Sequence, residues 1–593
     1  MIVQEKSFLP GAPRKKVKFI LLFILLWICL IIARLIDLQV VEHKKLKTEV
    51  IEQSQDLIKV LPTRGNIYDR NGKILARSLP AASVFFSPVK EEPLEKQIKN
   101  IYQLKNILNL GESELKKITL SLEKRKRFTW IKRKIPLEVA EKIKKLNLPG
   151  IYLIEENRRY YPQGTLACHL LGGVNIDDAG MAGVEYYYNN ELRGEEGEKL
   201  IMRDARRKEF FIQTVKETKP GKDLYLTIDA TIQFIAEKEL QLAVEKFRAN
   251  WGTVVILQPQ TGEILALANY PNYDPNEFPP PEEQMVNRAI QHTYEPGSTA
   301  KIVTAAAARE LAGISPATYY DCSQGYIAFG GTTVRDHERM KILSFPEVFI
   351  HSSNVGSIKI ADLIGEEKIY QMFKTFGFGQ KTGIDLPGEE SGLLHPLNKW
   401  RKSSLRVAIG YEVAATPLQI LRAMNVYAAG GCLVQPKVTR PQPAPVIDVI
   451  PADLSNFSRW PRIISQKTVN ELVETVFTQV VEKGTGMAAR IEGYDIAGKT
   501  GTAQKFDPGL RAYSFNKHVA SFVGFAPADQ PLLTMAVVID EPKGAMQYGG
   551  QVAAPVFREI ARKVLLYLHQ APRKMPEKFW LAQEKRKQEV ITD

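Results

Sequence analysis

Tyr294-Glu295-Pro296-Gly297-Ser298-Thr299-Ala300-Lys301, with the alanine-rich run that follows to about Ala312, is the stretch on which the reading of this 593-residue chain turns. A Pro-Gly turn opening such a run predicts a helix with Ser298 at its start. Serine and lysine three residues apart share one helix face, so hydroxyl and amine can meet. A serine hydroxyl is a poor nucleophile until a neighbouring base takes its proton. Lysine can be that base when burial or nearby cations depress its pKa. At a helix start, unpaired N–H groups and the dipole favour developing negative charge. Ser298 is therefore the candidate nucleophile and Lys301 the candidate base.

The spacing alone decides little, because Ser-x-x-Lys also occurs at Ser87/Lys90, Ser113/Lys116, Ser121/Lys124 and Ser514/Lys517. Two further motifs single out Ser298. Ser352-Ser353-Asn354 offers a second hydroxyl and an amide. Lys499-Thr500-Gly501-Thr502 follows the apolar stretch Tyr494–Ala497 and reads as an edge strand whose glycine admits a substrate backbone. Two look-alikes are set aside. Lys381-Thr382-Gly383 lies in a glycine-rich stretch that reads as a loop, and Ser514-Phe515-Asn516 comes after the second Lys-Thr-Gly, out of order.

Outward from these motifs, the length demands two or more domains. The formal charge of +14 favours anionic surroundings without choosing among nucleic acid, phospholipid and wall polymer. Four scattered cysteines (29, 168, 322 and 432) and eight scattered histidines make no metal-ligand pattern, so no metal or cofactor is expected. Whether any of the last three cysteines pair cannot be read. Arg14, Lys15, Lys16 and Lys18 precede an apolar run from Phe19 to Ala33, and apolar residues resume beyond Arg34. No small-residue cleavage site follows, which predicts an uncleaved membrane anchor over 19–41 rather than a signal peptide. The flanking cations mildly favour an N-terminus inside the cell.

Residues 44–60 read as a polar, helical stalk, and Arg64–Ala76 as strand, Asn71-Gly72 turn, strand. Residues 90–147 are lysine-rich and helical in pattern. Seven cations crowd between Lys124 and Lys134 around Phe128, Thr129, Trp130 and Ile131. That mixture can bind nucleic acid, but a solvated face explains it more simply and no nucleic-acid partner is expected. A strand at Leu224–Ile228 leads into a helix from about Ala230 with Asp229 as N-cap. The expected division is a cytoplasmic tail (1–18), an anchor (19–41), a pedestal (42–220), a catalytic domain (221–571) and a charged tail (572–593).

The ordered set Ser-x-x-Lys, Ser-x-Asn, Lys-Thr-Gly is the constellation of penicillin-binding proteins and class A β-lactamases. The chain resembles a class B, monofunctional penicillin-binding protein over nearly its whole length. RGNIYDRNGKILA (Arg64–Ala76), RRYYPQGTLACHLLG (Arg158–Gly172) and GVEYYYNNELRGEEG (Gly183–Gly197) are similar to that family's pedestal signatures. LTID (Leu226–Asp229), YEPGSTAK (Tyr294–Lys301), HSSNVG (His351–Gly356) and TPLQI (Thr416–Ile420) follow its catalytic domain in order. So do AGKTGTAQK (Ala497–Lys505), FVGFAP (Phe522–Pro527) and YGGQVAAPVF (Tyr548–Phe557). The GTGMAARIEGYDIAGKTGTAQK and EPKG…YGG segments look more like the septal, cell-division branch than the elongation branch. Departures are Ala300 inside Ser-x-x-Lys, and Gly410-Tyr411-Glu412 where Gly-Gln-Gly is common.

The resemblance implies an α+β fold. A penicillin-binding, serine β-lactamase-like transpeptidase domain, an antiparallel sheet flanked by helices, would stand on an extended β-rich pedestal behind one transmembrane helix. It implies a peptidoglycan D,D-transpeptidase of the cytoplasmic membrane, single-pass, with the catalytic domain outside. Ser298 would attack the D-Ala-D-Ala carbonyl of a donor stem peptide, Lys301 take its proton, and Ser352 relay a proton to the leaving amine. The N–H groups of Ser298 and Thr502 would form the oxyanion hole. Lys499, Thr500 and Thr502 would receive the terminal carboxylate on the Gly501 strand, and Asn354 hold the peptide backbone. Implied partners are stem peptides, β-lactam antibiotics, a lipid-linked glycan polymerase and other division proteins. Rival readings are a β-lactamase or β-lactam sensor, disfavoured by the long pedestal and the lack of a class A carboxylate motif, and a recruiting scaffold, disfavoured by three intact motifs.

Overall fold

The computed structural model describes residues 14–45, 55–87, 93–124, 128–203, 209–441, 459–507, 509 and 512–572. The middle of the expected stalk, Arg125–Arg127 of the cation knot and the charged tail beyond Pro572 lie outside the described residues. The described chain forms two compact units, one from the residues up to Pro62 with Gly194–Pro220, the other from Thr63–Arg193 with Gly221 onward.

The first unit holds helix α1 (Arg14–Ile36), extended by a wider turn over Asp37–Val41. Its apolar span is Lys18–Val41, and an 18-residue stretch within it has mean hydropathy 3.0. At 24 residues the span is about 36 Å long, enough for a bilayer core of about 30 Å. The fifteen-residue run is short alone, but the helix continues past Arg34, which pairs with Asp37 one turn on. Phe19–Leu26 and their apolar neighbours are exposed, as an anchor requires. The unit also has a three-stranded antiparallel sheet in which Gly197–Arg203 lies between Gln55–Val60 and Glu209–Lys216.

In the second unit, the Arg64–Ala76 stretch is strand, turn, strand as expected. Ile67–Tyr68 pairs with the start of Ile74–Phe86, and Gly72 takes the positive φ the turn needs. Residues 90–147 are helical over Leu94–Leu108, Glu112–Glu123 and Leu137–Leu146. They are not helical throughout: Thr129–Pro136 is a strand paired with Ala81–Phe86. Its buried Ile131 and Ile135 anchor it beneath the helices, so the aromatic–basic knot is partly the exposed side of a sheet.

Three signature stretches meet at one buried carboxylate. Glu185 takes Arg64 Nε and Arg159 Nε at 2.6 Å each, with the Tyr161 hydroxyl at 3.2 Å. Burial alone would raise its pKa, but the Arg159 and Arg64 charges hold it below the ordinary value. The LTID helix is tied to the same frame. Asp229 caps helix α2 (Ala230–Phe247) through Thr231 and Ile232 N–H, and its other oxygen accepts from Asn71.

The catalytic part is built on five antiparallel strands: β1 (Trp251–Leu257), β2 (Ile264–Tyr270), β3 (Ala497–Asp507), β4 (Ala512–Ala526) and β5 (Leu533–Asp540). Their order is β2-β1-β5-β4-β3, so β3 is an edge. Further helices are α3 (Lys301–Ala306), α4 (Asn354–Ile364) and α5 (Gly549–Tyr567). Strand alternation divides the core: Val254 and Ile256 pack with α2 and α5, whereas Val255 and Leu257 face the core around α3 and α4. All four cysteines are free.

Replacing Glu185 by Gln leaves two buried guanidiniums short of their counter-charge, a change expected to cost about 3–5 kcal/mol. Because the folded pKa is depressed, wild-type Glu185 stabilises fully above its unfolded value of about 4.3 and loses this as pH falls through the lower folded value. Denaturation midpoints should therefore fall in Glu185→Gln at pH 7, and its gap to wild type should narrow in acid.

Candidate functional site

The Ser298 turn is tighter than the expected helix start. Gly297–Ala300 form a 3₁₀ turn that passes into α3, and the helical stretch ends at Leu311 after a wider turn. In a 3₁₀ turn residues three apart eclipse, so Ser298 and Lys301 share a face more closely than in an α-helix. Ala305 to Ala308 are fully buried; their small side chains let the helix run through the core. Gly297 adopts φ +55° and donates to Gly410 O at 3.2 Å. A Cβ on Gly410 would lie 2.0 Å from Gly297 O, so the turn's position requires glycine there.

Lys301 is wholly buried. Its Nζ donates to Ser352 O and Asn354 Oδ1 at 2.7 Å each and to Ser352 Oγ at 3.3 Å. Among the described residues no hydrogen bond joins Lys301 to Ser298; such contacts often tighten only with substrate bound. Burial pushes the Lys301 pKa down to about 7 against the opposing charge of Asp336. Lys499, also fully buried, donates to Ser352 Oγ at 2.9 Å and to Thr500 O at 3.1 Å. Burial first, then Lys301, lowers its pKa well below the ordinary lysine value.

Ser352 sits between the helix Phe345–Ile350 and α4 at φ +59°, a strained conformation for serine costing on the order of 1–3 kcal/mol. Asp336 clamps the turn that follows. It accepts from Ser353 Oγ at 2.9 Å, Val355 N at 3.0 Å and Asn354 N. Ser353 also caps α4 through Gly356 N–H. No motif announced Asp336; the pairing spans 17 residues and one helix.

Ser298, Ser352, Thr500 and Thr502 line one cavity of about 470 Å³, with Thr485 and Tyr548. Thr485 and Thr500 hydroxyls lie 2.6 Å apart, and Thr502 Oγ1 accepts from Gly549 N at 3.0 Å. Sequence reasoning missed Thr485, His337 and Tyr548 as wall residues. Thr485 lies in a segment used there only to place the branch, and Tyr548 opens one that also carried the family resemblance.

Two expectations change in detail. Lys499 is not itself a lining residue of the cavity; its amine is turned onto Ser352, which is one, while strand alternation sends Thr500 and Thr502 to the cavity wall. Gly501 does not open the strand to a substrate: a Cβ there would lie 2.4 Å from Ser521 Oγ and 2.8 Å from Thr299 Cγ2. Glycine lets the Ser298 turn abut β3. The look-alikes are occupied elsewhere. Thr382 and Gly383 N–H groups bind Glu389, and Ser514 accepts from Asn516 N.

Residues 252–562 match the penicillin-binding protein transpeptidase domain, and 59–226 the penicillin-binding protein dimerisation domain. The chain is 36% identical over 570 residues to stage V sporulation protein D of Bacillus subtilis, covering 95% of this chain and 87% of that one. It is 32% identical to the peptidoglycan D,D-transpeptidase FtsI of Escherichia coli over 553 residues, 93% and 91% of the two chains. The crystal structure of penicillin-binding protein 3 of Mycobacterium tuberculosis with aztreonam superposes with TM-score 0.64 at 26% identity, covering 87% of this chain and 99% of that one.

Substituting Gly501→Ala drives a methyl into Thr299 and Ser521, and is expected to cost about 1–3 kcal/mol of stability. A lower denaturation midpoint checks it; an unchanged midpoint means the turn and the strand separate freely.

Proposed function

This chain belongs to the penicillin-binding protein family as a peptidoglycan D,D-transpeptidase, and we propose that Ser298 is its nucleophile and Lys301 the base that activates it. One observation carries the reading: three motifs distant in sequence put two buried amines on the Ser352 hydroxyl beside the cavity that Ser298 enters.

Ser298 Oγ attacks the carbonyl of the penultimate D-Ala, and neutral Lys301 accepts its proton. Ser352, in contact with Lys301, gives its proton to the departing D-Ala nitrogen and regains one from the protonated Lys301. The N–H of Ser298, at a helix start, and that of Thr502, on a sheet edge, stabilise the oxyanion; each donor is worth about 3 kcal/mol. Thr500 and Thr502 take the terminal carboxylate on the strand that Gly501 keeps against the turn. Lys499 assists from behind: an arriving carboxylate favours its charged form. Asn354 orients the peptide backbone. An amine from a second stem peptide then resolves the acyl-enzyme to give the cross-link, a ping-pong transfer. A β-lactam acylates Ser298 in place of the donor. No step calls for a cofactor.

We place the pedestal at 42–220 and the transpeptidase domain at 221–571, with α1 as a single-pass anchor, its N-terminus inside and the catalytic domain outside. Septal cell-wall synthesis is the duty favoured by the segments before Lys499 and around Tyr548, alongside a lipid-linked glycan polymerase and other division proteins. A fluorescent fusion should gather at the division septum; uniform sidewall placement would point to elongation instead.

Two measurements test the chemistry. Membranes labelled with fluorescent penicillin should show a stable adduct in wild type and none in Ser298→Ala; rapid drug turnover by wild type would indicate a β-lactamase. The second is a pH profile. Lys301 must be neutral to accept a proton, so the second-order rate of acylation should rise with pH through about 7 and then level off. Stopped-flow acylation that is flat between pH 6 and 8 would remove Lys301 as the base.

A further inference from the structure

A second groove of about 460 Å³ continues from the catalytic cavity, sharing Thr502, His337 and Tyr548 with it. On the reading above, the donor's terminal carboxylate lies at the Thr500–Thr485 end. The residues upstream of the scissile bond therefore leave on the other side of Ser298, past Thr502 and Asn354, along this groove. Its wall includes the Tyr411 segment that departs from the family pattern, with Tyr411 set edge-on to Tyr513 at 5.2 Å.

The acidic groups here are already engaged. Asp336 is held by Ser353, Asn354 and Val355. Glu412 pairs with Arg406. Glu295, behind the wall, accepts from Glu412 N at 2.9 Å and Tyr513 Oη at 3.1 Å. His337 and His518 have pKa values lowered by burial, which keeps them uncharged near neutrality. Arg335 is different. Its carbonyl accepts from Asn354 Nδ2 at 2.9 Å, which fixes it beside the backbone-holding amide. Its guanidinium stands 5.6 Å over the Tyr326 ring, with no carboxylate partner among the described residues. An exposed guanidinium of this kind forms charge-assisted bonds to an incoming carboxylate and gains nothing from an amide or an amine.

We propose that this groove is a subsite for a free carboxylate on the donor stem peptide upstream of D-Ala-D-Ala, with Arg335 as the residue that reads it; the proposal rests on the transpeptidase reading of Ser298. Two positions supply that chemistry, the α-carboxylate of the γ-linked D-glutamyl residue and the side-chain carboxylate of a diaminopimelyl third residue.

The test uses the full-length protein in detergent and three pentapeptides ending in D-Ala-D-Ala. One has both carboxylates free, one is amidated on the D-glutamyl residue, and one has L-lysine third. D-Ala release gives kcat/KM for each. Wild type should prefer the first peptide about tenfold over one of the others, and whichever modification removes the preference identifies the carboxylate. Arg335→Gln should level the ratio, and Arg335→Lys retain part of it. Equal rates in wild type, or a ratio that survives in Arg335→Gln, overturn the subsite. Penicillin labelling of the same preparations separates the two ideas: labelled protein without peptide preference sinks the subsite alone, while unlabelled wild type sinks the transpeptidase reading and the subsite together.

Discussion

The structure depends on a constraint around the Ser352 hydroxyl, where Lys301 and Lys499 both point their amines and neither has any exposed surface. Two ammonium ions so placed cannot both keep their charge, because burial and mutual repulsion act in the same direction. Asp336 is the counterweight, raising the Lys301 pKa while securing the turn that carries Ser352 and Asn354. The result is an amine with its pKa lowered to about 7, held by hydrogen bonds to Ser352 and Asn354 rather than by an ion pair. The alanines of the following helix, the close approach of Gly410 to Gly297 and the glycine at 501 all bring turn, loop and strand within reach of one another.

What could be read in the sequence was local or repeated. Asp229 before an apolar period, Asn71-Gly72 between short strands and the three motifs in order are compact signals, and each finds its element in the fold. Where contacts run between distant segments, the reading fell short. Asp336 caps a helix from outside it, and Thr485 meets Thr500 across the strand edge; neither carries a mark of its own. The Thr129–Pro136 strand was hidden because its alternation is brief and its cations imitate a solvated helix. The orientation of Lys499 and the crowding at Gly501 follow from which face of β3 looks outward, a matter of register that no motif specifies.

The buried Glu185 ties together three separated stretches of the N-terminal half. Arg64, Arg159 and Glu185 come from different signatures and share one desolvated site. Removing any one leaves a buried charge without its partner. Asp69 and Asp229 extend that logic to the catalytic part: Asp69 accepts from Ala230 N at 3.1 Å, and both bind the Asn71 turn. Pedestal signature and catalytic helix are thus joined through the Asp69 carboxylate, which accepts from Ala230 N–H, and the Asn71 amide, which donates to Asp229.

The left-handed backbone of Ser352 has a consequence for how this protein can change. At φ +59° the main chain would be more comfortable with glycine or asparagine. Either replacement relaxes the loop and also deletes the hydroxyl that two lysines address. On the proposed role of Ser352, a gain in robustness at this position would come at the cost of turnover, a local conflict between durability and activity. Screens for hardier variants should leave codon 352 untouched and seek their gains elsewhere in the fold.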